Sequence, residues 1–503
     1  MKNLLEYLSF SEEVDFYLHS KEAVEGGVSE ALELLEGVNK HKRRSGAAAL
    51  LYSAVKRYPK EVWVNDLQST CREILNLGGL SVVSNYLSLV VKQIQPSERN
   101  LALEQELRTS LNIFYFVLCS LPCEELRTEL SLDNYKVEDN LLELIKLSME
   151  LSHIPVKKVS MLLYKYLEII LKPFPEEPIP HLPENIAVEV PRHKLTPNNS
   201  VEAFYRRMVC RGNSIPETLV VGLLRAVLSW FPNSSTTGVV LKQEWLSPLF
   251  LYEENFECFV DLERQFDCDC ENCDEEGHPH ESQRHVLITF VYISKVFEIL
   301  LKAFKLNHKV QFYYLSQSIY EANGVLVFLK LMNQEFKLEH YEKLNLTGTL
   351  KELLESVLKV TYKVCKNNPE RIKSNLVHVK SALILKKIIT KFPEQTIETL
   401  SLKLIRIQVK YLPKKWKSQV SNMKVISAIY NKLPPVSEDW VNENQDSETT
   451  EEEIRKLTQQ FNKHHYWDGL EARGRESPEL PEDFQNNYEE WLEENVWGMG
   501  YLC

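Results

Sequence analysis

Residues 62–94 read VWVNDLQSTCREILNLGGLSVVSNYLSLVVKQI. From Val62 to Leu77 the apolar residues recur at three- and four-residue steps. Gly78 and Gly79 then interrupt the pattern, and Leu80–Ile94 starts it again. Such spacing matches the 3.6-residue turn of a helix, and a glycine pair is a stop signal between two helices. The same reading extends in both directions. Ala31–Val38 and Ala47–Tyr58 show the helical period, separated by a polar break over Asn39–Gly46. Leu101–Leu121, Leu141–Leu151 and Val156–Leu171 follow, each with a short polar, Gly or Pro stop. The alternation of a half-buried strand is nearly absent. The expected fold is therefore all-α: an irregular armadillo/HEAT-like α-solenoid in two helical halves, without a clean internal repeat.

Composition agrees. The chain has 503 residues, 44% apolar and 26% charged, with only 16 glycines. This excludes a wholly disordered or collagen-like chain, and the length allows a large core. The expected division is a helical domain over 1–171, a linker over 172–200, a helical solenoid over 201–433 and an acidic tail over 434–503. The linker rests on seven prolines between Lys172 and Ser200, which remove amide donors and restrict the residues before them. Ten cysteines are scattered, mostly within apolar helical patterns, as in a reduced, cytoplasmic protein. The N-terminal stretch is interrupted by Glu6, Glu12, Glu13 and Asp15, and the apolar runs Leu111–Leu121 and Val286–Leu301 are short or broken by Lys295 and Glu298. Neither a signal peptide nor a membrane span is expected.

Charge is segregated along the chain. Lys363–Lys432 holds sixteen basic residues and three acidic ones, whereas Pro434–Cys503 holds eighteen acidic and five basic, about +13 against −13. Ser437–Glu453 is polar and acidic and reads as flexible. Farther on, Phe484, Tyr488, Trp491 and Leu492 would share one helical face. This helix is expected to pack back onto the basic half, with Glu482, Asp483, Glu489 and Glu490 near lysines. The alternative is an independent partner-binding tail.

No Walker loop, dinucleotide fingerprint, nucleophile elbow or HExxH pair occurs, so an enzyme is not expected and no nucleotide cofactor is implied. Two constellations remain. Cys268, Cys270, Cys273, His278 and His280 crowd into one acidic stretch. Thiolates and imidazoles are zinc ligands, and Cys270-x-x-Cys273 suits one ion. The alternative is a solvated insertion with incidental cysteines. The second constellation is basic: Lys302, Lys305, His308, Lys380, Lys386, Lys387, Lys410, Lys417 and Lys424. Lysines converging from packed helices can hold a polyphosphate by charge alone. The competing readings are a solvated cationic face and a surface complementary to the acidic tail. Nucleic acid is not expected, because interleaved aromatics and binding motifs are missing.

Several blocks carry a family resemblance. Lys302-Ala-Phe-Lys-Leu-Asn-His308 leads to Gln311, Tyr314 and Ala322-Asn323. Val377-His-Val-Lys-Ser-Ala-Leu-Ile-Leu-Lys386 reads as a lysine-flanked helix. Gln408-Val-Lys-Tyr-Leu412, Trp416 and Asn422–Tyr430 come next, and Leu480-Pro-Glu-Asp-Phe-Gln485 with Asn487-Tyr488 and Trp491-Leu492 closes the series. In this order and spacing they resemble the striatin-interacting protein family, which includes the yeast factor-arrest relative. Lys42-Arg-Arg44, Leu107–Leu118 and Val156–Val159 resemble it more weakly. The resemblance implies a non-catalytic scaffold of a STRIPAK complex, regulating kinase signalling, cytoskeletal organisation and cell shape. It implies as partners striatin, the scaffold and catalytic subunits of protein phosphatase 2A, a Mob-type protein and germinal-centre kinases. It also implies inositol hexakisphosphate as a structural cofactor. The remaining alternative is a zinc-containing or polyanion- or nucleic-acid-binding helical adaptor unrelated to phosphatase.

Overall fold

The computed structural model describes residues 27–55, 63–94, 100–132, 136–151, 154–172, 200–210, 215–229, 279–334, 346–433 and 450–467. Among them every regular element is helical, as the sequence pattern requires. The first part comprises α1 (Val28–Glu36), α2 (Lys40–Val55), α3 (Trp63–Asn76), α4 (Gly79–Gln93), α5 (Leu101–Ser120), α6 (Cys123–Leu132), α7 (Lys136–Leu147) and α8 (Val156–Leu171). Then come α9 (Ser200–Cys210), α10 (Ile215–Leu228), α11 (Pro279–Asn307), α12 (Lys309–Glu321), α13 (Gly324–Met332) and α14 (Thr347–Cys365). A single turn, α15 (Pro369–Arg371), runs into a wide π-helical turn over Ile372–Val377. It is followed by α16 (Ser381–Lys391), α17 (Gln395–Val409), α18 (Lys414–Lys417), α19 (Val420–Lys432) and α20 (Glu451–Asn462).

Packing proceeds stepwise, as in a solenoid. Helix α1 lies against α2, α2 and α4 against α5, α5 and α7 against α8, α8 against α11, α11 against α14, and α14 against α17. Helices α16 and α19 both pack on α17. One continuous apolar cluster runs from Val28 to Tyr466, including Leu50, Phe114, Tyr166, Phe204, Phe297, Leu354 and Leu404. Helices on either side of the proline-rich stretch therefore share a core. Charge reinforces the join: Arg207 of α9 donates to both carboxylate oxygens of Glu138 on α7, at 3.2 and 2.8 Å, and Tyr166 donates to Glu138 at 2.8 Å. No single described helix is long and apolar enough to cross a membrane. The proline-rich residues 173–199 lie outside the described residues.

Three local expectations are corrected. Asn39–Gly46 is not a break, because helix α2 begins at Lys40. Its basic residues face neighbours as well as water: Arg44 donates to buried Glu106, to which Tyr86 also donates at 3.3 Å. Gly46 sits at the α1–α2 crossing, where an added Cβ would stand 2.7 Å from the Ala31 carbonyl and 2.8 Å from the Leu34 Cβ. Glycine is there for close approach, not to end a helix. Second, Val377–Lys386 is not one helix. Lys380 adopts a left-handed conformation (φ 58°), so α16 starts only at Ser381. Third, the expected flexible segment Ser437–Glu453 ends in ordered helix. Thr450 caps α20, accepting from the Glu453 amide, while the Glu453 carboxylate accepts from the Thr450 amide. This reciprocal pair satisfies two amides that a helix start leaves free.

Candidate functional site

Helix α20 and the π-helical turn after it (Lys463–Trp467) form a strap over α12 and α9. One end is held by Arg371, 2% exposed. Asn368 caps α15 by accepting from the Arg371 amide at 3.0 Å, which fixes that residue's direction. The guanidinium then donates to both oxygens of Glu451, to Ser316 Oγ at 3.0 Å and to the Val364 carbonyl at 3.0 Å. It also lies 5.3 Å from the Tyr320 ring centroid. Asn368 Nδ2 completes the site by donating to Glu451 Oε1 at 2.5 Å. At the other end Tyr466 donates to buried Glu202 of α9, which also accepts from Asn307 Nδ2 at 2.7 Å and Gln311 Nε2 at 2.6 Å. Burial and the adjacent Glu202 carboxylate hold the Tyr466 phenol far above its ordinary range. Between these ends Tyr205 donates to Asn462 Oδ1 at 2.8 Å, and Arg455 pairs with Glu321.

The basic candidates fall into local groups. Lys302 and Lys305 are exposed on α11, beside Lys359 and Lys363 of α14. Burial first, and then the like charges of Lys302, Lys305 and Lys359, push the Lys363 ammonium down to about 8, although Glu298 opposes them. Lys359 pairs with Glu298 at 3.4 Å. His308 is occupied structurally: its Nδ1 accepts from the Val310 amide at 3.2 Å, and its ring stacks on Phe461 of the strap at 4.6 Å. Lys410 lies 5.0 Å from the Tyr411 ring centroid, and Lys373 approaches the same ring at 5.0 Å. Lys417 donates to the Lys410 carbonyl at 3.4 Å. Lys386 bonds Asn422 Oδ1 at 2.6 Å, while Lys380, Lys387 and Lys424 stand exposed near that junction in sequence.

Sequence reasoning missed Lys359, Lys363 and Lys373 as neighbours of its candidates. Lys359 and Lys363 are one helical turn apart, a detectable signal, but only folding places them beside α11. It also missed Arg371 and Glu451, eighty residues apart. The thiol-rich candidates Cys268, Cys270, Cys273 and His278 lie outside the described residues, and His280 stands in the first turn of α11. Among the described residues no three His, Cys, Asp or Glu side chains converge as metal ligands. Cys71 and Cys365 are buried, and burial pushes both thiols up to about 12, which makes them apolar packing groups.

A family model described as a domain of unknown function, DUF3402, matches residues 353–489, which include α16, α17, α19 and the strap. Human striatin-interacting protein 1 is 31% identical over 267 residues, covering 42% of this chain and 31% of that protein. Mouse striatin-interacting proteins 2 is 31% identical over 263 residues, 43% of this chain and 31% of its own length. The zebrafish striatin-interacting protein 1 homolog is 30% identical over 267 residues. The chain thus spans about a third of the length of the curated relatives it matches. Over the portion that these matches cover, the chain is similar to the striatin-interacting proteins.

Proposed function

We propose that this chain is a non-catalytic scaffold that binds a striatin-type protein and helps assemble a STRIPAK-type complex with protein phosphatase 2A. The observation that carries this reading is the similarity to proteins named for binding striatin. An extended α-helical solenoid offers long, continuous surfaces, which suits a chain that must touch several partners at once. In this reading the scaffold and catalytic phosphatase subunits, a Mob-type protein and germinal-centre kinases gather on it in the cytoplasm. Their proximity then governs kinase signalling, cytoskeletal organisation and cell shape. Pull-down of the tagged full chain followed by mass spectrometry tests it. Striatin-type protein and both phosphatase subunits are expected, with no phosphatase turnover from the purified chain alone. Recovery of the chain without any of them would overturn the reading.

A polyphosphate such as inositol hexakisphosphate is the proposed ligand of the basic groups. The congregation of Lys302, Lys305, Lys359 and Lys363 favours it. Glu298 and Glu355 offset part of the charge of these four ammonium groups, and a multiply charged anion would relieve the repulsion that remains.

A further inference from the structure

Helix α19 is weakly buried. Only Asn422 and Ile429 are inaccessible, while Val420, Met423 and Tyr430 are 74%, 56% and 61% exposed. With Ser427 these positions fall at i, i+3, i+7 and i+10, one face of the helix. On α16, Leu383 is 50% exposed, one turn before Lys386. The Lys386–Asn422 hydrogen bond ties that part of α16 to the buried side of α19 near its start. Half of the ten large apolar side chains exposed among the described residues lie between Val379 and Tyr430. Helices α16, α18 and α19 together carry eight lysines and no acidic residue. Lys432 is paired with Glu398 of α17 at 2.6 Å, and an apolar stripe in a frame that stays mostly cationic calls for an acidic amphipathic occupant.

We propose that this face is the docking site of the chain's own segment Leu480–Leu492. That segment lies outside the described residues; its sequence spaces Phe484, Tyr488, Trp491 and Leu492 at helical intervals, and residues 480–503 carry six acidic side chains and no basic one. The strap, which belongs to the same acidic terminal block, packs on α12 and α9. From Trp467, where the strap ends, thirteen residues lead to Leu480, enough to reach about 45 Å when extended. Tethering also holds the segment at an effective concentration in the millimolar range, which favours it over a free peptide. Apolar contact supplies the affinity, and the glutamates opposite Lys387 and Lys424 set the orientation.

Zero-length carboxyl-to-amine coupling of the full chain, read by mass spectrometry of the monomer, tests the assignment. Links from Glu482, Glu489 or Glu490 to Lys387 or Lys424 are expected. Tyr488→Glu with Trp491→Glu in the full chain should abolish those links and speed amide exchange of residues 420–432 about tenfold. Exchange of α20 should stay unchanged, which shows that the fold is intact. Met423→Glu should abolish the links from the other side. The proposal fails if the links appear only in cross-linked dimers, which would make a second copy the occupant. It fails equally if the tail variant leaves exchange of α19 as it was.

Discussion

Arg371 carries its charge into a nearly inaccessible site, yet Glu451, Ser316 and Val364 between them receive its Nε, Nη1 and Nη2 donors. A buried guanidinium costs several kcal/mol of desolvation, which its partner repays only with good geometry and full hydrogen bonding. Removing that partner leaves the cost uncompensated. Glu451→Ala should therefore destabilise the chain by about 3–5 kcal/mol. Glu452→Ala, one residue away and exposed, should cost under about 0.5 kcal/mol. Denaturant unfolding of the two variants is the comparison, and equal losses would show that the buried pair does not hold the strap. Neither residue stands out in the sequence. Arg371 sits among many basic residues and Glu451 in a run of three glutamates, so their partnership was not legible before folding.

Helix α2 shows how an element can be misread from its charges. Lys40-His-Lys-Arg-Arg-Ser-Gly46 has the composition of a loop, but its charges are distributed around a helix whose Arg44 meets a buried carboxylate. Gly46 permits the close α1–α2 contact. In an exposed helix Gly46→Ala would add about 1 kcal/mol of stability, because alanine loses less backbone entropy. Here the new methyl would press on backbone atoms of α1, and overpacking of this kind costs about 1–3 kcal/mol. A net loss in thermal unfolding is expected, and a net gain would mean that the crossing is looser than described. The strap illustrates the opposite error. An acidic, polar sequence reads as flexible up to Glu453, although Thr450-Glu-Glu-Glu453 carries the capping-box pattern that starts helix α20.

At the scale of the whole molecule, charge and core have different ranges. The basic and acidic blocks follow one another in sequence, and their self-repulsion acts on the entire folded state. A polyphosphate that binds only the native chain stabilises it by mass action. Inositol hexakisphosphate should raise the melting temperature of the desalted chain by several degrees at low salt and by less at high salt. Lys302→Glu with Lys305→Glu should erase that gain. Because Lys363 is held at about 8, affinity should fall as pH rises through that value, well before an ordinary lysine would lose its charge. An unchanged melting curve would leave the basic groups as a protein-binding surface. Sequence alone determined the helical class, the placement of most helices and the segregation of charge, because period, stop residues and composition are local properties. Tertiary structure alone decided that helices on both sides of the proline-rich stretch share a core. It also decided which lysines meet, that His308 serves as a cap and stacking partner, and that Glu451 belongs with Arg371. Each depends on residues far apart in the chain meeting in space, and a buried charge such as that of Arg371 must find its partner there, where no spacing rule can name it.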